Sequence, residues 1–302
     1  MDGFINLNKP VGLTSFDCVA KLRKLLSTKK IGHAGTLDPD AVGVLPIAVG
    51  KATRLLEYVT AVSKQYRAVM TIGIKTTTQD ASGEVIERIS SSHLTRSDII
   101  NILPKFEGAI EQIPPMFSAI KINGKKLYEL ARQNIEIDRT PRQVTIHEIK
   151  LLDFTPGEFP QATLDIVCSK GTYIRTLLQD IGEKLSTTAH MSFLERTGVG
   201  EFTIDKTFSL EDIASQMHNR ELNFLLDMDY PLKNLGEIIV NDNFMKRILH
   251  GNSISIENAE QITHNSDNLY RVYGAAKLIA IAHIEGSQIK VHKVLHAEGE
   301  TK

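Results

Sequence analysis

The chain has 302 residues and carries 35 lysines and arginines against 36 aspartates and glutamates, a formal net charge of −1 at pH 7. That length suits one large domain or a large domain with a small companion, and the balanced charge excludes a globally basic nucleic-acid binder, leaving any such contact to local patches. Two cysteines, Cys18 and Cys168, are too few for a disulfide framework or a thiolate metal cluster, and no stretch is long and apolar enough to span a membrane.

In chain order, the first residues hold Asp2 where a secretory signal would hold positive charge, and no apolar run precedes Lys9-Pro10, so a cytoplasmic location is expected. Residues 15–27 read as a helix with Val19, Leu22, Leu25 and Leu26 on one face and Thr14 with Asp17 as a capping box. Next comes Gly35-Thr36-Leu37-Asp38-Pro39-Asp40-Ala41-Val42-Gly43. A residue before proline is pushed out of helical backbone, so Asp38 is expected on extended chain in a loop or at a strand end. The glycines at 32, 35 and 43 suit a loop that presents one side chain into a cleft. Taken alone, an Asp-Pro pair is most simply a solvated turn.

Residues 66–74 alternate as a strand, and 76–83 read as a polar turn. Residues 97–106 read as a helix stopping near Gly108, and Ile113-Pro114-Pro115 forbids helix. Lys121, Lys125, Lys126, Arg132, Arg139 and Arg142 form the main basic region, with a helix over 127–133 inside it. Glu129, Glu136 and Asp138 are interspersed, so the region reads either as a solvated face or as a limb that grips phosphates. A strand over 164–168 leads through Gly171 into a helix with Ile174, Leu177, Leu178, Ile181 and Leu185 on one face, which places Arg175 in its first turn. In the strand, Cys168 reads as a buried thiol. Beyond Tyr230-Pro231-Leu232 short strand-like runs dominate, and the domains are expected at 1–231 and 232–302.

Several ordered motifs carry a resemblance: Asn8-Lys9-Pro10-Val11-Gly12-Leu13-Thr14-Ser15, Gly32-His33-Ala34-Gly35-Thr36-Leu37-Asp38-Pro39, Lys64-Gln65-Tyr66-Arg67, Pro114-Pro115-Met116-Phe117-Ser118-Ala119-Ile120-Lys121, and Ser169-Lys170-Gly171-Thr172-Tyr173-Ile174-Arg175-Thr176. Spread over two-thirds of the chain, they resemble the TruB family of tRNA pseudouridine synthases of the bacterial stand-alone type. The resemblance implies an α+β catalytic domain with a mainly antiparallel twisted sheet flanked by helices, an RNA-gripping insertion at about 105–145, and a small β-rich PUA-like C-terminal domain. It implies isomerisation of uridine 55 in the T loop of tRNA by base flipping, without metal or other cofactor. The expected partner is the T-stem loop of tRNA, with no membrane association and no obligate protein partner, the chain acting as a monomer.

By the same resemblance Asp38 is the essential carboxylate, Arg175 its cationic partner, and Tyr66 the residue that stacks on uracil near C5. His33 would contact the displaced loop, Tyr173 and Leu194 would wall the pocket, and Lys125 and Lys126 would grip the RNA. The loop departs from the common family pattern at Asp40 and Val42, and Glu195 and Thr77 also differ. A carboxylate at Asp40 would raise the pKa of Asp38 if both faced the pocket. Three other functions compete: a guide-RNA-dependent catalytic subunit, a tRNA-binding or folding protein with secondary or lost catalysis, and a carboxylate-based nucleosidase with Asp80 as a second acid.

Overall fold

The computed structural model describes residues 1–296 except 119, 123, 134 and 266, and for Lys126 the backbone alone. A nine-stranded sheet forms the larger part. Its main path runs Gly3–Lys9, Val42–Val49, Ala189–Val199, Lys64–Ile72, Gln161–Cys168, Arg142–Thr155 and Gly108–Gln112. All neighbours on this path are antiparallel except Val42–Val49 with Ala189–Val199, which meet in parallel at Glu195 with Val42 and Arg196 with Gly43. This is the expected α+β architecture with a mainly antiparallel sheet.

Alternation along Lys64–Ile72 buries Lys64, Tyr66, Ala68 and Met70, and the same face receives the helix Ile174–Lys184 through Leu177, Leu178 and Ile181. The strand stops earlier than its apolar pattern suggests, because Gly73 sits at φ +89° with the Ile89 carbonyl close by. The chain there bends into a hairpin of Ile74–Thr76 with Val85–Arg88. The first helix, Ser15–Leu25, starts at the Thr14–Asp17 capping box and packs Cys18, Val19 and Leu22 against Ile5, Leu7, Leu45 and Ile47. The helix read over 97–106 is α-helical over Arg96–Ile102 and tightens into a 3₁₀ turn at Leu103–Phe106, after Thr95 caps its start. In the basic region the helix is only Leu127–Ala131. That whole segment, residues 113–141, is an excursion between two paired strands, since Gln112 pairs with Arg142.

A second, six-stranded sheet spans 236–294 and contains the strands read near Leu269, Leu278 and Ile289. Its helix Asp242–Leu249 was not anticipated, although Asn241 caps it and Ile248 and Leu249 are buried. The two sheets share one apolar cluster: Phe4, Ala48, Leu55, Val199 and Phe202 meet Leu278, Ile281 and Leu295. Polar contacts flank it, from Tyr58 Oη to His292 Nδ1 at 2.7 Å and from Arg54 Nη1 to the Val294 carbonyl at 2.8 Å.

Ile281 is fully buried in that shared cluster, so Ile281→Ala is expected to destabilise the protein by about 2–5 kcal/mol. Urea unfolding should show a lower midpoint and a single transition for both sheets. Two separated transitions would show that the cluster does not couple them.

Candidate active site

Asp38 lies between the strand Ile31–His33 and the strand Val42–Val49, in a segment with no regular structure of its own. The chain turns there rather than staying extended past Pro39: the Asp38 carbonyl accepts from Ala41 N–H at 3.1 Å, with Pro39 and Asp40 at the corner. Proline suits the first corner position of such a turn. Asp40 is therefore exposed on the corner, and its push on the Asp38 carboxyl is weaker than the effects of Arg175, Asp80 and Lys9.

Three buried cations hold the loop. Lys9, with no exposed surface, donates its ammonium to the carbonyls of Pro10, Pro39 and Ala41 at 2.9, 2.9 and 2.6 Å. Arg196, 1% exposed, donates Nε to the Val44 carbonyl at 2.7 Å and Nη2 to the Gly35 carbonyl at 3.1 Å. Gly43 packs against the backbone of Arg196 so closely that a Cβ there would stand 2.4 Å from its carbonyl oxygen, and its φ of +98° admits glycine readily. Ser15 adds a neutral anchor, its hydroxyl accepting from Leu37 N–H at 2.9 Å.

The third cation is Arg175, in the first turn of its helix as expected. Its side chain is 6% exposed and touches four oxygens: Nε stands 3.1 Å from Asp38 Oδ2, Nη1 is 3.3 Å from Asp80 Oδ2 and 3.2 Å from the Thr78 carbonyl, and Nη2 donates to the Phe117 carbonyl at 2.8 Å. Asp80 is saturated, because its Oδ1 also accepts from Thr78 Oγ1, Ser82 N–H and Ser82 Oγ. It acts as a fixed second anchor for the guanidinium. Asp38 differs, since its side chain is 41% exposed. Burial raises the pKa of Asp38, Arg175 pulls it down, and Asp80 pushes it up again.

Tyr66 stands on the central strand, 9% exposed, in one apolar cluster with Leu37, Ala41, Ile174 and Leu194. Burial holds its phenol well above the usual range, while a hydrogen bond and the charge of Arg196 oppose that. The tyrosine is thus a neutral phenol at pH 7. Asp38 pairs with Arg175, and Leu37 and Ala41 on either side of it share an apolar cluster with Tyr66 and Leu194, which together outline the candidate cleft. Tyr173 caps the Arg175 helix and is half-buried, its N–H and C=O both bonded to the side chain of Gln112. His33 is half-buried on the edge strand beside the loop, and burial together with Arg196 lowers its pKa. Lys125 is exposed in the short hairpin of Lys121–Ile122 with Lys125–Lys126, on the excursion. The side chain of Lys126 lies outside the described residues.

Glu195 does not enter the cleft. It points to the other face from Leu194 and meets Arg67 across the ladder, 3.7 Å away. Thr77 accepts from Glu84 N–H within its own hairpin. Sequence reading missed Lys9, Arg196 and Gln112 as parts of the site. The strand period was a usable signal for Arg196, because an inward Leu194 puts residue 196 inward as well. It also passed over a denser basic run, Lys21, Arg23, Lys24, Lys29 and Lys30, with no acid among residues 21–30. Among the described residues no group of three His, Cys, Asp or Glu is placed to hold a metal ion, and no helix is long and apolar enough to cross a membrane.

Residues 23–174 match the model of the TruB family pseudouridylate synthase N-terminal domain, and residues 175–233 match that of the tRNA pseudouridylate synthase B C-terminal domain. A tRNA pseudouridine synthase B from Symbiobacterium thermophilum is 49% identical over 83% of this chain and 82% of its own. The protein of that name from Streptococcus agalactiae serotype III is 45% identical over 97% of this chain and 99% of its own. Among solved structures, a chain of a Cbf5-Nop10-Gar1 complex superposes with a TM-score of 0.76 at 26% identity, covering 98% of this chain and 85% of that one. A chain of an H/ACA RNP bound to a substrate RNA containing 2′-deoxyuridine gives 0.75 at 24% identity, over 98% and 86%.

The raised pKa of Asp38 has a consequence for stability. A carboxyl whose folded pKa exceeds its unfolded value favours folding while protonated, and that contribution is lost as pH rises through the folded pKa. Asp38→Asn removes the ionisation cost and leaves Arg175 with Asp80 and both carbonyls. At neutral pH the variant is expected to melt at or above the parent temperature, with the gap narrowing as pH falls below the carboxylate range. Thermal unfolding across that pH series checks it, and a variant that melts lower at neutral pH would show that the ion pair outweighs burial.

Proposed function

The chain belongs to the TruB family of pseudouridylate synthases and makes pseudouridine in tRNA; from that premise we propose that its target is uridine 55 of the T loop, flipped from its stack onto Asp38. The observation that carries this reading is the partly exposed Asp38 carboxylate held 3.1 Å from a buried arginine, on a loop whose Leu37 and Ala41 join the apolar cluster that contains Tyr66 and Leu194. A flat, neutral base fits that floor, and its ribose then reaches the carboxylate. Extruding a base from a folded loop costs about a few kcal/mol, which contacts elsewhere on the tRNA must offset.

The reaction breaks the bond from ribose C1′ to uracil N1 and forms a bond from C1′ to C5. The base turns between the two events, a proton leaves C5, and N1 gains one, so the product is an isomer of the substrate. No cofactor is consumed in this balance. Asp38 supplies the anion the chemistry needs at sugar or base, and Arg175 keeps that carboxylate ionised against the burial that would protonate it. Tyr66 has the wrong ionisation for a strong base, since burial keeps its phenol protonated. Stacking on the uracil and relaying the C5 proton fit it better. His33 and Tyr173 border the cleft, and the excursion carrying Lys125 reaches for RNA phosphates.

The test uses an unmodified tRNA transcript tritiated at uracil C5. Tritium release mapped to position 55, abolished in Asp38→Asn while tRNA affinity stays within about tenfold, or about 1.4 kcal/mol, is the expected result. Tight binding without release would favour the binding or folding-helper reading instead. Lys125→Ala is expected to weaken tRNA binding and to flatten the slope of log affinity against log salt by about 0.7–0.9. A salt titration with an unchanged slope would remove Lys125 from the RNA path.

A further inference from the structure

Gln112 is the last residue of the strand Gly108–Gln112 and the point where residues 113–141 leave the sheet. Only 2% of it is exposed. Its amide makes a two-point contact with a single residue far along the chain: Tyr173 N–H donates to Oε1 at 3.0 Å, and Nε2 donates to the Tyr173 carbonyl at 3.3 Å. The side chain thus imitates a strand neighbour for a residue that has none. Tyr173 precedes the helix Ile174–Lys184, makes no side-chain cap bond of its own, and stands two residues before Arg175.

A few residues after Gln112, the Phe117 carbonyl accepts from Arg175 Nη2 at 2.8 Å. The base of the excursion therefore grips the helix start twice, once on the backbone at Tyr173 and once on the guanidinium. Neither contact involves a charged partner of Arg175. Both bear on where Nε stands relative to Asp38, because the Arg175 Cα is fixed by the helix start and its far end by Phe117, Thr78 and Asp80.

We propose that Gln112 is a positioning residue, which sets the helix start at Tyr173 and thereby aims Arg175 at Asp38, tying the base of the 113–141 excursion to the ion pair. The inference rests on the reading of Asp38 and Arg175 given above. Losing the two-point contact lets the helix start drift, loosens the Arg175–Asp38 pair and so raises the pH needed to ionise Asp38. A misplacement of about 1 Å at such a site can lower the rate by about 10²-fold.

The test compares Gln112→Leu and Gln112→Glu with the parent, using tritium release from the tRNA transcript and amide hydrogen exchange at Tyr173. Gln112→Glu keeps the size and the acceptor but loses the donor at neutral pH. It keeps the test decisive if the leucine variant fails to fold. Expected in both variants are a kcat at least tenfold lower with KM within about twofold and an acid limb of the pH–rate profile moved to higher pH. The Tyr173 N–H should also exchange at least about tenfold faster in Gln112→Leu, a readout that needs no activity. Folded variants with the parental acid limb and kcat would overturn the proposal, as would a rate loss that merely matches the unfolded fraction. A parent that releases no tritium would instead sink the proposed reaction, while the exchange result would still show whether Gln112 fixes Tyr173.

Discussion

One guanidinium carries the structural logic of this cleft. Arg175 is nearly inaccessible to water, and its charge is met by two carboxylates and two backbone carbonyls. A buried arginine with fewer partners would be severely destabilising, since removing one partner of a buried pair costs roughly 3–5 kcal/mol. Asp80 and the carbonyls of Thr78 and Phe117 meet that demand by themselves. Asp38 is then free to be the partly exposed member of the network, attracted by the arginine without being used up by it. Asp80 is saturated by its partners, whereas Asp38 still meets solvent beside the same guanidinium.

The other two buried cations do related work on the backbone. Lys9 and Arg196 give most of their hydrogen bonds to carbonyls of residues 35–44, the irregular loop and the first residues of the strand that follows it. Buried carbonyls without partners are costly, and a charged donor answers two or three at once. The loop is consequently hydrogen-bonded without being regular.

Much of this was legible in the residues, and the limits have physical causes. The helix from Ser15 was visible because its cap and its apolar stripe are both local, and the strand at Tyr66 and the helix that bears Arg175 were visible from their apolar periods alone. The strands Gly3–Lys9, Val42–Val49 and Ala189–Val199 gave no clear reading, since they are buried on both faces over much of their length, and Arg142–Thr155 gave none because its alternation is broken by two register shifts. Asp38, Tyr66 and Arg175 were named through family resemblance; their own spacing in the chain says nothing of a 3.1 Å contact. Lys9 and Gln112 escaped notice because a lysine or glutamine at a strand end ordinarily reaches solvent, and only the folded chain brings carbonyls to them. Asp40 looked like a threat to Asp38 on the assumption of extended backbone, and the turn at Pro39 exposes Asp40 and leaves its push weaker than those of Arg175, Asp80 and Lys9.

The parallel junction of Val42–Val49 with Ala189–Val199 bears on how the chain is made. Every strand that carries Lys9, the Asp38 loop or Tyr66 leaves the ribosome well before the strand that must lie between them. At roughly 5–20 residues per second, on the order of ten seconds pass before residue 196 arrives. Until then two strand edges stand open side by side, the kind of surface that pairs with other chains. The nascent protein must therefore cross an interval in which the sheet beside the Asp38 loop is a sticky, unfinished edge, and the strand Ala189–Val199 both closes that edge and delivers Arg196 to the loop.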